Sequence, residues 1–428
     1  MTARDAALRA LLACRKDGAW SDGALKRLLT DTEPREAALA SRLCYGVLQN
    51  RLLLDHWLKP FVRGKLQPAV EEILRLAVYQ LTFLDKIPPS AAVNEAVGQA
   101  KRFANPAAAR LVNGVLRSFL RAGTPKLPED LSLRYSHPEE LTSLLQAQYG
   151  DRTERLLQSH NEAPATVLQV NTLRTTTARV AQALTDVGAE WQAHPWLPDC
   201  LTVRGAGDLE RLDVFRDGLC YVQDAAARLA VWAAELQPGQ RVLDCCAAPG
   251  GKSFAAAIAM QNRGEIISCD IHPHKLRLIE RGAERLGIGC ITTRLQNAAE
   301  PVAEWESAFD TVLCDAPCSG LGVIRKKPDI RYKDLIQTER LPALQAAILE
   351  NQSRYVRAGG LLIYSTCTIL RRENEAVAEA FLRKHSEFVP EAAVYPEGSG
   401  LPAAAMTTLL PCDHGTDGFF VAKLRKKG

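Results

Sequence analysis

The first 120 residues carry apolar positions at helical spacing. In residues 70–84, Leu74, Ala77, Val78 and Leu81 recur three and four apart while Glu71, Glu72 and Arg75 fall between them, which predicts an amphipathic helix. Ile87-Pro-Pro-Ser90 interrupts the pattern, with Ser90 placed to cap a following helix whose Val93, Ala96, Val97 and Ala100 form the next stripe. Leu111, Val115 and Phe119 make a third. These stripes predict a compact helical domain over residues 1–125. The periodicity then lapses and Pro125, Pro128 and Pro138 punctuate the chain, so 126–160 reads as a linker with short helices.

Beyond residue 160 the period changes. Residues 166–170 and 200–203 read as strands around a helix at 178–187, which predicts a small α+β subdomain over 161–222. From 223 to 428 strand, glycine turn and helix alternate, with strands at 241–246, 265–270, 311–315 and 360–366. Such alternation predicts a mainly parallel sheet with helices on both faces. There are no internal repeats or low-complexity tracts.

At 428 residues, 47% apolar and 24% charged, with no apolar run of the roughly 20 residues that a membrane span needs, the chain reads as soluble and multi-domain. From Met1 to Trp20, Arg4, Asp5, Arg9, Arg15, Lys16 and Asp17 break up the apolar core a signal peptide requires. The twelve cysteines show no C-x-x-C or Cys/His zinc spacing, so reduced thiols in the cytoplasm are expected, and no metal. The net charge of +4 is uneven: residues 1–130 carry 20 Lys and Arg against 13 Asp and Glu, a net of +7, and the remainder 33 against 36, a net of −3. A basic first third suits nucleic acid, with Lys101, Arg102, Arg110, Arg117 and Arg121 as candidate contacts.

The segment Arg241-Val-Leu-Asp-Cys-Cys-Ala-Ala-Pro-Gly-Gly-Lys252 sets a strand before a glycine turn, and an alanine-rich helix follows. Ligands of open α/β sheets bind at such strand ends. Gly250 and Gly251 allow close backbone approach, the helix N-terminus favours an anionic group, and Asp270, ending the next strand, suits ribose hydroxyls. A P-loop would need glycine where Cys246 stands, and the G-x-G-x-x-G of a nicotinamide fold is absent. S-adenosyl-L-methionine remains. Asp315-Ala-Pro-Cys318 and Ser365-Thr-Cys367 each follow a strand, so both thiols project from the cofactor edge. Carbon 5 of a pyrimidine becomes nucleophilic only after something adds to carbon 6, and a thiolate is suited to that addition. Residue spacing alone does not rank the two cysteines. The Asn-Pro-Pro-Tyr or Asp-Pro-Pro-Tyr signature of amino-group methylation is not what residues 315–318 spell.

Together, Asp244-x-Cys246-Ala-Ala-Pro-Gly-Gly-Lys252, Asp315-Ala-Pro-Cys318, Thr366-Cys367 and the closing Asp417-Gly-Phe-Phe-Val-Ala-Lys-Leu424 resemble the RsmB/NOP family of RNA cytosine-C5 methyltransferases. Asn113-Gly-Val-Leu-Arg117, Tyr135-Ser-His-Pro138 and Val170-Asn-Thr-Leu-Arg174 extend the resemblance to its bacterial small-subunit rRNA branch, which has an N-terminal domain similar to the antitermination factor NusB. The resemblance covers nearly the whole chain. It implies an all-α NusB-like domain, a small RRM-like α+β subdomain and an α/β Rossmann-like class I methyltransferase domain with a mixed, mainly parallel seven-stranded sheet. It further implies Cys367 as the nucleophile on carbon 6, Cys318 assisting release, and Asp315 bonding the cytosine edge as a protonated acid. The cofactor set is then Cys246, Ala247, Ala248, Pro249, Gly250, Gly251, Lys252, Asp270, Asn297 and Asp315, with Asn297 standing where the family usually has an aspartate near the adenine. Arg325, Lys326, Lys327 and Arg331 suit phosphate contacts, as do Lys101 and Arg117. Trp191 and Trp196 are suited to subdomain packing more than to base stacking. The expected partner is 16S ribosomal RNA presenting an unstacked cytosine, without membrane, metal or obligate protein partner. A transfer RNA methyltransferase, or an RNA-binding assembly factor without catalysis, are the alternatives.

Overall fold

The computed structural model describes residues 1–17, 21–30 and 32–428, so Gly18, Ala19, Trp20 and Asp31 lie outside the described residues, and with them the Trp20 end of the N-terminal segment. It divides into two compact units, residues 1–162 with 324–335, and residues 163–323 with 336–428.

The first unit is helical: α1 (Ala3–Asp17), α2 (Ser21–Leu29), α3 (Pro34–Leu58), α4 (Pro68–Phe83), α5 (Pro89–Phe103) and α6 (Pro106–Ala122), then the short α7 (Leu131–Arg134), α8 (Glu139–Tyr149) and α9 (Thr153–Ser159). Helices α3 to α6 each open on proline, whose missing N–H and fixed φ suit a first helical position. This moves the cap of α5 to Pro88, and Ser90 sits inside the first turn instead of capping it. Helix α4 is enclosed on nearly all sides, so Glu72 and Arg75, expected on a polar face, are buried at 3% and 7% exposure. Arg75 donates to both Asp55 carboxylate oxygens at 2.7 and 2.8 Å and pairs with Glu72, as buried charges must. Gly46 of α3 permits this close packing, since a Cβ there would stand 2.0 Å from the Tyr79 ring of α4.

The stretch predicted as a linker is part of this unit. Trp57 Nε1 donates to Lys126 O at 2.9 Å, Leu52 N donates to Ser136 Oγ at 2.9 Å, and Leu141, Leu145, Leu156 and Leu157 are fully buried. Its prolines mark turns between short packed helices. Residues 324–335, predicted within the methyltransferase domain, also belong to this helical unit.

The second unit holds two sheets. The smaller has β1 (Thr166–Val170), β2 (Glu190–Ala193), β3 (Cys200–Arg204) and β4 (Cys220–Val222), antiparallel in the order β2-β3-β1-β4. Leu168, Val170, Leu201 and Val203 pack with the helix Thr177–Asp186. Val167, Cys200 and Tyr221 join the core of the larger sheet instead, so β1 is covered on both faces and offers no open platform for stacking bases.

The larger sheet comprises β5 (Arg241–Asp244), β6 (Glu265–Asp270), β7 (Ile291–Leu295), β8 (Phe309–Asp315), β9 (Val356–Thr366), β10 (Phe388–Pro390), β11 (Met406–Leu409) and β12 (Phe419–Lys426). The order is β10-β12-β9-β8-β5-β6-β7, parallel from β9 through β7 and antiparallel around β12. Strand β10 pairs with residues 424–426 of β12 and β11 with 419–422, so two short strands share one edge. Eight strands thereby occupy the seven positions that were expected. The inner strands are near-continuous apolar runs, as both faces are buried. Among the described residues no helix is long and apolar enough to cross a membrane.

Candidate active site

Strands β5, β6, β8 and β9 are parallel, so their carboxyl ends share one edge, where Asp244, Asp270, Asp315 and Thr366 are the last residues. A cavity of about 350 Å³ opens there, lined by Cys246, Ala248, Asp270, Ile271, Asn297, Asp315, Cys318 and Cys367 among others.

Its first wall is the turn after β5. Gly250 adopts φ 110°, a left-handed conformation that favours glycine, and a Cβ there would meet the Phe254 ring at 2.5 Å. Gly251 then starts the helix Gly251–Ala259, whose first N–H groups have no intrahelical acceptor. Beneath the turn Asp244 is wholly buried, and its Oδ2 accepts from Ser253 Oγ at 2.7 Å. Burial pushes the Asp244 carboxyl up to about 6, with the Ser253 hydrogen bond opposing. Its Oδ1 has no partner among the described residues. Ala247, Pro249, Gly250 and Gly251 shape this turn and stand behind the lining. Asp270 keeps Oδ1 on His272 N at 2.9 Å, with Lys275 3.9 Å from Oδ2. A glycine turn at a helix N-terminus and the Asp270 carboxylate on the cavity wall fit a ligand with an amino-acid end and a ribose. Asn297 lines the cavity, but its Oδ1 accepts from Ala299 N at 3.1 Å and its Nδ2 donates to Glu300 at 2.9 Å. Its amide thus serves the local turn, and an adenine contact through Oδ1 requires sharing that acceptor.

The second wall carries the thiols. Cys318 Sγ lies 3.3 Å from Cys367 Sγ. Asp315, at the end of β8, accepts from Lys252 Nζ at 2.7 Å and from Ser365 Oγ at 2.8 Å. Both oxygens of Asp315 therefore act as acceptors, one for the Lys252 ammonium and one for the Ser365 hydroxyl. Burial presses the Lys252 ammonium to lose its proton, but the charge and hydrogen bond of Asp315, with the Asp244 and Cys367 charges, together outweigh it and the net shift is upward. The hydrogen bond from Cys318 favours ionisation of Cys367, burial opposes it, and Lys252 adds to the downward shift. Cys318 is pushed upward by the same hydrogen bond, by burial, and by the Cys367, Glu373 and Asp315 charges. The pair is therefore asymmetric: Cys367 ionises first and Cys318 holds its proton.

Side chains with no motif signal fix these turns. Gly322 N donates to Cys367 O at 3.0 Å and Gly418 N to Gly322 O at 2.8 Å, and a Cβ on Gly322 would lie 1.9 Å from Gly418 O. Asn374 Oδ1 accepts from Thr366 Oγ1 at 2.5 Å while its Nδ2 donates to Thr368 O at 3.0 Å. Gln345, within the helix Leu341–Ser353, and Glu373 and Asn374, on the turn after Cys367, carry no motif signal, because an isolated polar residue reads as solvent-facing until the fold buries it.

The basic candidates separate. Arg331 is 1% exposed and donates to the backbone oxygens of Gln49 (2.8 Å), Ser136 (3.1 Å), Tyr135 (3.3 Å) and His160 (3.4 Å). It is a buried tie within the helical unit, and the expected phosphate contact is corrected on that ground. Arg325 and Lys326 are half-buried, and Lys327 is exposed with Asp22 3.7 Å away. Lys101 and Arg117 are exposed, Arg117 Nε donating to Asn113 at 3.1 Å. Trp191 bonds Thr185 at 2.8 Å and Trp196 packs edge-on against His194.

Three family models match the chain: the 16S rRNA methyltransferase RsmB/F model over residues 231–425, the NusB family over 1–121, and the RsmF/B-like ferredoxin-like domain over 137–210. The probable ribosomal RNA small subunit methyltransferase B of Bacillus subtilis is 37% identical, with 99% of each chain covered. That of Synechocystis is 34% identical over 100% of both chains. Among solved structures, PH0851 matches with TM-score 0.83 at 26% identity over 98% of each chain. A methyltransferase homolog from Pyrococcus horikoshii matches with TM-score 0.60 at 28% identity, over 69% of this chain and 98% of its own.

Proposed function

Because the chain belongs to the 16S rRNA methyltransferase RsmB/F family, whose members use S-adenosyl-L-methionine, we propose that it methylates carbon 5 of a cytosine in 16S ribosomal RNA through a covalent Cys367 adduct. The turn at residues 246–252, Asp270 and Asn297 would hold the cofactor, which supplies an electrophilic methyl group when bound. The observation that carries the reading is the 3.3 Å approach of the two thiols beside the Lys252–Asp315 pair. Methylation of an amino group would need neither thiol.

In this reading Cys367 Sγ bonds to carbon 6, and the electron pair of the C5=C6 bond shifts toward ring nitrogen 3, which takes a proton passed from Lys252 through Asp315. Carbon 5 is then electron-rich enough to accept the methyl group. Cys318, having lost its proton to water once Cys367 is bound to carbon, takes the carbon 5 proton. The C–H electron pair re-forms the double bond, nitrogen 3 returns its proton, and Cys367 leaves as thiolate. A duplex cannot present carbon 6 to a thiol in this cavity, so the base is unstacked. Arg325, Lys326, Lys327, Lys101 and Arg117 supply phosphate contacts, and the reaction is placed in the cytoplasm.

Radiolabelled cofactor and 16S RNA incubated with wild type, Cys367→Ala and Cys318→Ala, followed by nucleoside digestion, test this. Label in 5-methylcytidine is expected from wild type, none from Cys367→Ala, and a trapped protein–RNA adduct from Cys318→Ala. Label confined to transfer RNA overturns the substrate, and no label with any RNA overturns the activity.

A further inference from the structure

Between the two cysteine turns lies a carboxylate that the reaction above does not use. Glu373, on the turn after Cys367, is 0% exposed. Its Oε2 accepts from Ser319 N, the residue beside Cys318, at 2.9 Å and from Gln345 Nε2 at 2.9 Å. Gln345 Nε2 also donates to Pro317 O, on the other side of Cys318, at 3.0 Å. One carboxylate oxygen and one amide therefore grip both neighbours of Cys318. The backbone of Glu373 is itself held, its N on Leu370 O at 3.0 Å and its O accepting from Tyr364 at 2.6 Å. A second clasp joins the same turns through Ser319 Oγ and Thr368 Oγ1 at 2.7 Å.

Oε1 of Glu373 is buried with no hydrogen-bond partner among the described residues. Leaving a buried acceptor unpaired is costly, and a clamp needing only a shape would avoid the charge. We propose that Glu373 is the positioning residue of the two-thiol centre: it fixes the Cys318 turn against the Cys367 turn and holds negative charge beside Cys318, the thiol that assists release. The proposal rests on the cysteine chemistry above. Its charge acts upward on Cys318, while Lys252 acts downward on Cys367, so Glu373 keeps the two thiols unequal. Without it, Cys318 is displaced or ionises early, and release suffers more than attack.

Two variants separate grip from charge. Glu373→Gln keeps the side chain's size and removes the charge; Gln345→Leu keeps the charge and removes the hold on Pro317. Iodoacetamide alkylation of each cysteine, followed by mass spectrometry across pH 6 to 10 on the full chain without RNA or cofactor, reads the charge. In Glu373→Gln the Cys318 curve is expected to move down by roughly one pH unit while Cys367 moves less, and in Gln345→Leu neither curve moves. With 16S RNA and cofactor, both variants are expected to turn over roughly tenfold more slowly and to accumulate covalent protein–RNA adduct with KM unchanged. A Cys318 curve unmoved by Glu373→Gln, or wild-type turnover without adduct in either variant, overturns the proposal. If wild type itself yields no 5-methylcytidine, the cysteine chemistry fails, and the alkylation curves still decide whether Glu373 governs Cys318.

Discussion

Each unit of this chain sets a pair of like polar groups close together near a cation. In the helical unit His137 Nε2 stands 3.1 Å from His160 Nδ1, with Arg331 donating to the backbone around them. In the methyltransferase domain Cys318 Sγ stands 3.3 Å from Cys367 Sγ, with Lys252 on Asp315 nearby. The distances are alike and the consequences differ. Arg331 gives its protons to backbone carbonyls that cannot react, and His137 and His160 are at most 1% exposed, so that cluster is closed. Lys252 gives its proton to a carboxylate that faces a cavity, and both thiols line the same cavity. Proximity of like polar groups is therefore no sign of chemistry by itself. What marks the second cluster is access, together with surroundings that push one thiol toward ionisation and the other away from it.

The largest effect expected on this contrast comes from Asp315→Asn. Removing the carboxylate takes away a charge that raises Cys367 and leaves Lys252 to the desolvation that lowers it. Methyl transfer is expected to fall roughly 10²- to 10³-fold, since a preorganised charge at the reacting ring is lost. Iodoacetamide alkylation of Cys367 near neutral pH is expected to become faster, because its thiolate form is less opposed. A variant that slows both, measured side by side, would show that Asp315 serves only to hold the wall in shape.

Arg331→Met probes the closed cluster. Four backbone oxygens lose their donor, and the helical unit is expected to lose about 2–4 kcal/mol, read as faster hydrogen exchange in α3 and α8. RNA affinity and its salt dependence are expected to stay as in wild type. A loss of roughly one unit in the slope of log affinity against log salt would instead make Arg331 a phosphate contact.

A smaller effect comes from pH. Burial, followed by the Arg331 charge, pushes His137 well below its usual value and His160 down to about 3. A histidine whose folded pKa is depressed contributes stability that is complete above about 6.5 and is lost as pH falls toward the folded value. Acid should thus loosen α8 and α9 progressively between about pH 6.5 and 3. His160→Gln is expected to make that loss shallower by about one proton in hydrogen-exchange measurements. An unchanged acid profile would mean that carboxylates, and not this pair, set the acid limit.

Local order made much of this architecture legible. The strand Thr166–Val170, the strand Glu265–Asp270 and the helix Thr177–Asp186 follow from alternation and stripes within single windows. The solvent-facing β2, the three-residue β4 and β10, and β11, sharing its edge of β12, left no such trace, because short strands are decided by their partners. At the site, Cys318, Cys367, Asp315 and the glycine turn stood out as strand-end motifs. Glu373, Gln345 and Asn374 did not, since isolated polar residues in a loop or on a helix read as solvent-facing.

The sequence by itself determined the longer elements, the strand-end turns and the motifs that carry the two thiols and their neighbouring acid, each encoded within a dozen residues. Tertiary structure alone decided which polar groups are closed off and which face a ligand. Arg331 finds its acceptors 171 to 282 residues away, and Cys318 finds Cys367 49 residues on. Burial and ionisation depend on everything packed around a group, and no local pattern carries that sum.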